Sequence, residues 1–271
     1  VAFTRKLGEH STVTTRYGLE AESEVLRIEW DIDWHEPETL LKAVFPTSYA
    51  GKMARYGAPF GSILRPQHPG EERAEAMFEV PASRWAIVSD DGEEEGLALI
   101  TEAKYGFTAR EGTLGLSLLR SAKITRTDQN RALRDFSYPH DHSDLGRFTI
   151  RAALTLHRAD LPRESQPAAI AEQLFQTPIP IAKELNKPFE FSLEGGPSLL
   201  PVWAQPLEDG NCVIRCAETM GRRGHADIRT ADGNIVEIVD LMGNPMPSPA
   251  LQGMRISFGP YQLFGIKISR P

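Results

Sequence analysis

Apolar and polar side chains alternate along most of this chain with a period of two. Leu26, Ile28, Trp30, Ile32 and Trp34 are separated by Arg27, Glu29, Asp31 and Asp33. One face of that extended segment is apolar and the other is charged, which is the pattern of a half-buried strand. Pro37 ends it, because proline has no amide donor for the ladder. Leu97 and Leu99, then Leu114, Leu116 and Leu118, then Phe148, Ile150, Ala152, Leu154 and Leu156 repeat the alternation. Ile235, Val236, Ile238 and Val239 read as a more buried strand. Tyr261, Leu263, Ile266 and Ile268 read as a last strand, disturbed near Gly265, where a bulge is expected. Asp91-Gly92, Asp209-Gly210 and Asp232-Gly233 sit between strand-like runs and predict hairpins, since glycine adopts positive φ without strain. Many short strands joined this way predict stacked antiparallel sheets, not alternating strands and helices. The expected core contains Trp30, Trp34, Phe78, Trp85, Leu97, Leu99, Leu116, Leu118, Phe148 and Ile150.

One helix is predicted. Ser165 caps residues 166–176, Pro167 falls in the first turn where its missing donor is harmless, and Ile170 and Leu174 share a face that Phe175 extends. Thr177-Pro178-Ile179-Pro180 stops it. Pro188, Gly195, Gly196, Pro197 and Pro201 then mark a boundary. The fold class expected is therefore all-β: a large antiparallel sandwich over residues 1–181 followed by a smaller C-terminal β-sandwich over residues 182–271.

Composition narrows the partners. The chain has 37 acidic and 30 basic side chains, a net charge of -7, which argues against nucleic acid and anionic membranes, both of which need a concentrated basic face. No apolar run approaches the roughly 20 residues that cross a bilayer, and no basic-then-apolar leader is visible. The opening, VAFTRKLGEHSTVTTRYG, lacks an initiator Met and reads as strands already under way, so an excised segment of a longer polypeptide is expected. Cys212 and Cys216, four residues apart on one strand, would lie about 13 Å apart at ~3.3 Å per residue. A disulfide needs Cα atoms within about 7 Å. Two buried free thiols are expected, which fits a reducing, cytoplasmic compartment.

Several short passages occur in a recognisable order. They are Asp33-Trp34-His35-Glu36, Leu40-Leu41-Lys42 with Phe45-Pro46, Arg65-Pro66-Gln67-His68, Arg84-Trp85, Ser89-Asp90, Lys104-Tyr105-Gly106 and Leu116-Ser117-Leu118-Leu119-Arg120-Ser121. Gly221-Arg222-Arg223-Gly224 and the closing SFGPYQLFGIKI follow. The ordered set resembles the C-terminal β-sandwich region of the family 38 glycoside hydrolases, the α-mannosidases. Asp144-Leu145-Gly146-Arg147-Phe148 departs from the family's Asp-x-Gly-x-His-x-Phe passage by lacking the histidine. The resemblance implies a galactose mutarotase-like super-sandwich for the large domain. It also implies a retaining mechanism, in which two carboxyl groups about 5 Å apart flank the sugar. Finally, it implies a zinc-dependent catalytic barrel N-terminal to this chain. No catalytic residue, metal ligand or cofactor is then expected in the chain itself. Its partners would be its own N-terminal catalytic domain and the parent's carbohydrate substrate.

Candidate chemistry is sparse. His142-Ser143-Asp144 and His225-Ala226-Asp227 are His-x-Asp triplets, but a catalytic zinc needs a third ligand, and ordinary strand and loop positions are the plainer reading. His140-Asp141-His142 is a possible metal cluster, set against a solvated loop after Tyr138-Pro139. Arg222-Arg223 is a possible anion site, set against a glycine-flanked turn. Lys104, Tyr105 and Arg110 are the best candidates for substrate or domain-interface contacts, with a structural hairpin as the competing reading. His35 is a candidate sugar contact, against an edge-strand histidine beside a buried tryptophan. A stand-alone carbohydrate-binding module is the alternative to an enzyme fragment, with Trp203 the freest of four tryptophans. A mutarotase-type epimerase would need a paired His and Glu, and none is evident.

Overall fold

A computed structural model of the chain describes residues 1–68, 70–77, 79–92, 95–124, 142–175, 190–231, 235–246 and 251–269. The chain forms two compact units, Val1–Ala54 with Pro66–Leu156 and Arg55–Arg65 with His157–Pro271. Both are built from antiparallel sheets, so the all-β expectation holds. Phe78, the Asp232-Gly233 turn, His140, Asp141 and the expected 181/182 boundary lie outside the described residues.

In the first unit, strands Ala2–Leu7, Ser11–Gly18, Leu26–Trp34, Gly146–Arg158, Glu95–Thr101 and Trp85–Ser89 lie side by side in that order. A second sheet orders Leu40–Pro46, Thr113–Arg120, Gly106–Arg110 and Val80–Pro81. The alternation that predicted Leu26–Trp34 is the alternation of its burial: Ile28, Trp30, Ile32 and Trp34 are buried while Arg27 is exposed and the three acids between them are half-buried. Burying a side chain of this class contributes about 1.5–3 kcal/mol. Trp85, Leu99, Leu116, Leu118 and Ile150 join this core. Leu97 and Phe148 are only half-buried, each being the third residue of its strand, near a sheet end.

The pattern breaks at two places. In Gly146–Arg158, Ala152 and Ala153 are both buried, after which the buried positions shift to Thr155 and His157 and leave Leu156 exposed. Two consecutive alanines are small enough to be covered on both faces, and the phase read from Leu154 and Leu156 is lost there. In Thr113–Arg120 the register slips between Ser117 and Leu119, so Leu118 and Leu119 are both buried. At Gly265 the expected bulge is absent: Leu263–Ser269 pairs without a register shift to Cys212–Glu218. A Cβ there would lie 2.7 Å from Val239 Cγ2 and 2.8 Å from Val213 Cγ1, so the glycine serves close packing.

The second unit pairs two four-stranded sheets. One orders Phe191–Glu194, Gly224–Thr230, Arg255–Phe258 and Leu251–Gln252; the other orders Leu199–Pro206, Cys212–Glu218, Leu263–Ser269 and Ile235–Val239. Leu193, Ile228, Ile256 and Phe258 from the first meet Leu199, Ile214, Phe264 and Ile266 from the second in one core. The Asp91-Gly92 and Asp209-Gly210 turns join paired strands, as read. The described strands on either side of residues 232–234, Gly224–Thr230 and Ile235–Val239, belong to different sheets. The helix is Pro167–Phe175. Ser165 closes a preceding 3₁₀ turn, and the Gln166 carbonyl accepts the first helical bond from the Ile170 amide at 3.0 Å. Gln166, not Ser165, therefore holds the cap position.

Side chains complete the backbone pairing where strands end. The Trp34 indole donates to Ser121 Oγ, linking the ends of the two sheets of the first unit. The His35 amide donates to Ser11 Oγ at 2.8 Å, Ser11 Oγ donates to Glu36 Oε1 at 3.0 Å, and the His10 amide donates to the same oxygen at 2.7 Å. Buried Gln67 donates to the carbonyls of Met53 and Ser89 and accepts from the Gly112 amide. In the second unit Arg163 donates to the carbonyls of Leu193, Gly195, Gly196 and Leu199. The fully buried Glu218 carboxylate accepts from the amides of Met220, Gly221 and Tyr261.

Burial pushes the Cys216 thiol up to about 12. Its folded pKa lies above its unfolded one, so the unfolded state sheds the proton first as pH rises. The associated stability is complete below about pH 8.5–9 and is lost as pH climbs toward 12, with a slope of at most ~1.4 kcal/mol per pH unit. Urea titrations across this range should show the decline in the parent and a flatter limb in Cys216→Ala. Neither thiol should react with an alkylating reagent in the native state at pH 8, since both are free and buried. On the acid side, the His10 amide first and the Ser11 hydroxyl second hold Glu36 below its ordinary value. That stability is present above the unfolded pKa and is lost as pH falls through the folded one. Glu36→Gln should flatten the acid limb of stability against pH, and Ser11→Ala should destabilise by about 1–3 kcal/mol by orphaning the His35 amide.

Candidate functional site

Of the four positions singled out from sequence, Lys104 and Tyr105 are neighbours in one turn, and Arg110 lies at the far end of the adjoining strand. Lys104 and Tyr105 occupy the turn between Glu95–Thr101 and Gly106–Arg110. The Lys104 carbonyl accepts from Thr101 Oγ1 at 2.8 Å, and the Tyr105 carbonyl accepts from the Ala82 amide at 2.9 Å. Burial lowers the Lys104 pKa, opposed by the Asp144 charge. Tyr105 is 57% exposed. Arg110 is at the other end of its strand, in the hairpin where it pairs Thr113, and it is ion-paired to Glu75 at 2.7 Å. Asp144 accepts from the Arg120 amide, seven residues beyond Thr113. Lys104 and Arg110 are thus separated by roughly 20 Å of strand at ~3.3 Å per residue. His35 follows Trp34, which pairs with Gly146, and its Nε2 lies 2.9 Å from Asp33 Oδ1.

His35 bonds to Asp33, which lines a depression of about 430 Å³ on the charged face of the larger sheet. Alternation places its polar lining there: Thr12 and Thr14 on one strand, Asp31 and Asp33 on the next, Arg147 and Thr149 on the third. These groups are engaged with one another. Arg16 reaches Glu29 at 2.9 Å and also bonds Asp31, and Thr149 Oγ1 donates to Asp31 at 2.8 Å. Arg16 first, then Thr149, holds the Asp31 carboxyl below its usual range. Asp33 faces His35 and, at 3.7 Å, Arg147. Asp31 and Asp33, two residues apart on one face, are the nearest approach to a carboxyl pair at this face. A glycosidase acid needs a raised pKa, and Asp31 is moved the other way. The depression is a network of satisfied ion pairs on an open sheet.

The metal candidates are likewise occupied. His142 lies 3.8 Å from Glu38, and Ser143 Oγ donates to the Arg120 carbonyl. His225 Nδ1 is 2.9 Å from Ser257 Oγ, while Asp227 forms a two-pronged pair with Arg255. Among the described residues no group of three or more His, Cys, Asp or Glu could hold a metal ion. Arg222 donates to the Ala159 carbonyl at 3.3 Å, beside Gly221 at positive φ. No helix among the described residues is long and apolar enough to cross a membrane. Sequence reasoning missed Gln67, Ser121, Arg163 and Glu218. The first two lie inside the recognised passages, which is the one signal that marked them; Arg163 and Glu218 carry no local signal.

Comparison with known proteins agrees with this picture. The profile described as "Glycosyl hydrolases family 38 C-terminal domain" matches residues 1–128. The chain is 26% identical over 97% of its length to human "Alpha-mannosidase 2C1", covering 25% of that protein. It is 29% identical over 71% of its length to "Alpha-mannosidase G" of Dictyostelium discoideum, covering 17% of it. The chain thus spans a quarter or less of the length of these relatives. In fold it is similar to the crystal structure of an α-mannosidase from Enterococcus faecalis V583, with a TM-score of 0.71 at 16% identity over 95% of this chain and 29% of the other. Passages in family order, stacked antiparallel sheets and these matches lead to one assignment: residues 1–128 match the C-terminal domain of the family 38 glycoside hydrolases, and similarity to α-mannosidases runs along 97% of the chain.

Proposed function

We propose that this chain is the non-catalytic portion of an α-mannosidase-like retaining hydrolase, scaffolding a zinc-dependent N-terminal domain that cleaves α-mannosides. The observation that carries the reading is the match to α-mannosidases along 97% of the chain and only 25% of the relative. The site chemistry supports it: the acids at the depression are neutralised by arginines, a serviceable surface for a scaffold and a poor one for bond cleavage. The zinc would sit in the N-terminal domain. Its chemistry there would be to orient sugar hydroxyls and stabilise charge. The partners are that domain and the carbohydrate it cleaves.

Within this reading Tyr105 and Lys104 form a turn facing the catalytic domain, Tyr105 by its exposure and Lys104 by its destabilised charge, which an acidic partner would restore. Arg110 and His35 belong to separate contacts. We place the division between the two sandwiches at 181/182, in the interval after the helix ending at Phe175 and before the strand starting at Phe191. Two unpaired thiols support a cytoplasmic location.

The test is hydrolysis of an aryl α-mannoside. The 271-residue chain should give no turnover with or without zinc, and a longer polypeptide that adds the N-terminal domain should hydrolyse it with retention of anomeric configuration. Turnover by the pure chain, or inversion by the longer protein, overturns the proposal. In the longer protein Tyr105→Ala should lower thermal stability more than it does in the chain alone.

A further inference from the structure

A second surface differs from the neutralised depression. It is the outward face of the sheet ordered Leu199–Pro206, Cys212–Glu218, Leu263–Ser269 and Ile235–Val239. Cys212, Ile214 and Cys216 point into the core, so Val213, Arg215 and Ala217 point the other way. A register shift between Pro201 and Trp203 brings Trp203 opposite Arg215, and residues directly opposite share a face. Trp203 is 65% exposed, whereas Trp30, Trp34 and Trp85 are buried. The cross-strand row continues from Arg215 to Gly265 and Val239. The next row is Gln205, Val213, Lys267 and Glu237.

The floor of this face is shaped by Gly265. A Cβ there would lie 3.0 Å from Arg215 Nη1, so the guanidinium rests against the bare backbone of that strand. Nη1 donates to the Asp240 carbonyl at 2.7 Å and Nη2 to Gln205 Oε1 at 3.4 Å. Asp240's own carboxylate is taken up by Asn244 and the Met242 amide and is not Arg215's counter-ion. Lys267 and Glu237 are 4.0 Å apart and partly exposed. The result is an open indole beside an arginine fixed in place, with an amide, an ammonium and a carboxylate in the adjoining row.

We infer that this face is a non-catalytic carbohydrate-binding platform for a pyranose unit. The apolar C–H face of a sugar ring stacks on an exposed indole. The hydroxyls at its rim need donors and acceptors, which Arg215 on the neighbouring strand and Gln205 two residues along provide, with Lys267 and Glu237 further across the sheet for an adjoining unit. A protein partner would favour a more apolar face, since the centre of such interfaces is depleted in charged residues, and here the aromatic is flanked by polar side chains. Val213, Ala217 and Val239 are buried, so the accessible part of this face lies at its edge strand around Trp203, which suits one unit of an extended oligosaccharide and predicts weak binding of monosaccharides. The inference does not depend on the proposed hydrolytic parent.

The test uses the whole chain and fluorescence quenching by acrylamide, which reaches Trp203 and not the three buried indoles. The probes are α-1,2- and α-1,6-linked mannotriose, with cellotriose and a galactose trisaccharide as controls for sugar class. Saturable protection from quenching by at least one of them is expected. Trp203→Ala should weaken binding, read by calorimetry, by about tenfold or more, with Arg215→Met also weakening it and the melting temperature little changed. Absence of protection by every probe overturns the inference. So does binding that survives both substitutions, and so does self-association that depends on Trp203 and alone accounts for its protection. Because no turnover is measured, failure here leaves the scaffold reading standing, and failure of the hydrolysis test leaves this one standing.

Discussion

An all-β chain must satisfy every backbone amide and carbonyl that leaves a ladder. Inside a sheet the pairing is automatic; at strand ends and register slips it is not, and a buried orphan costs about 1–3 kcal/mol. This protein meets the requirement with a small set of polar side chains aimed at main-chain groups. Gln67, fully buried, ties residues 53, 89 and 112 together. Ser11 and Glu36 close the turn before Ser11–Gly18 against the end of Leu26–Trp34. Arg163 gathers four carbonyls, and Glu218 three amides. The last two are complementary. Carbonyls that converge need a multi-donor cation, and amides that converge need an anion. Neither has a charged side-chain counter-ion among these bonds; the backbone dipoles take that role.

This accounts for what the recognisable passages do. In Asp33-Trp34-His35-Glu36, Trp34 is anchored through its indole to Ser121, the last residue of another passage, while Glu36 collects the His10 amide and the Ser11 hydroxyl. Arg65-Pro66-Gln67-His68 contributes Gln67. Leu40-Leu41-Lys42 contributes Lys42, bonded to Glu79 and, at 3.2 Å, to Thr108. These residues look like site chemistry in sequence because they are polar and grouped. Their partners show that Trp34, Glu36 and Gln67 hold strand ends, while Lys42 reaches across the sheet to Thr108.

Fold class was legible because burial follows alternation wherever a strand faces one core. Leu26–Trp34 and Cys212–Glu218 were readable for that reason, and so was the absence of a Cys212–Cys216 bond. What failed did so locally. Ala152-Ala153 let a strand change its buried face without changing its hydrophobic count. Gly265 looked like a bulge because a glycine in a strand has two uses, and only the neighbours Val213 and Val239 decide between them. Asp232-Gly233 has hairpin chemistry, but the flanking strands join different sheets. Residue type and motif membership, which make Lys104, Tyr105, Arg110 and His35 stand out, do not encode distance, and the hairpin sends Arg110 to the far end from Lys104.

The two outward faces show what separates a charged surface from a receptive one. On the first unit, Arg16 lies between Glu29 and Asp31, Asp31 also accepts from Thr149, and Asp33 is shared by His35 and Arg147. A ligand arriving there must break ion pairs before it can form bonds of its own. On the second unit the Arg215 guanidinium carries five donors and bonds to one carbonyl and, at the long limit, one amide oxygen. It is held by the Asp240 carbonyl and packed over Gly265, with no carboxylate among the bonds described. Pre-ordering a donor without satisfying it lowers the entropy lost on binding, and the exposed indole beside it adds a surface for the apolar face of a ring. Density of charge would select the first face; residual bonding capacity selects the second.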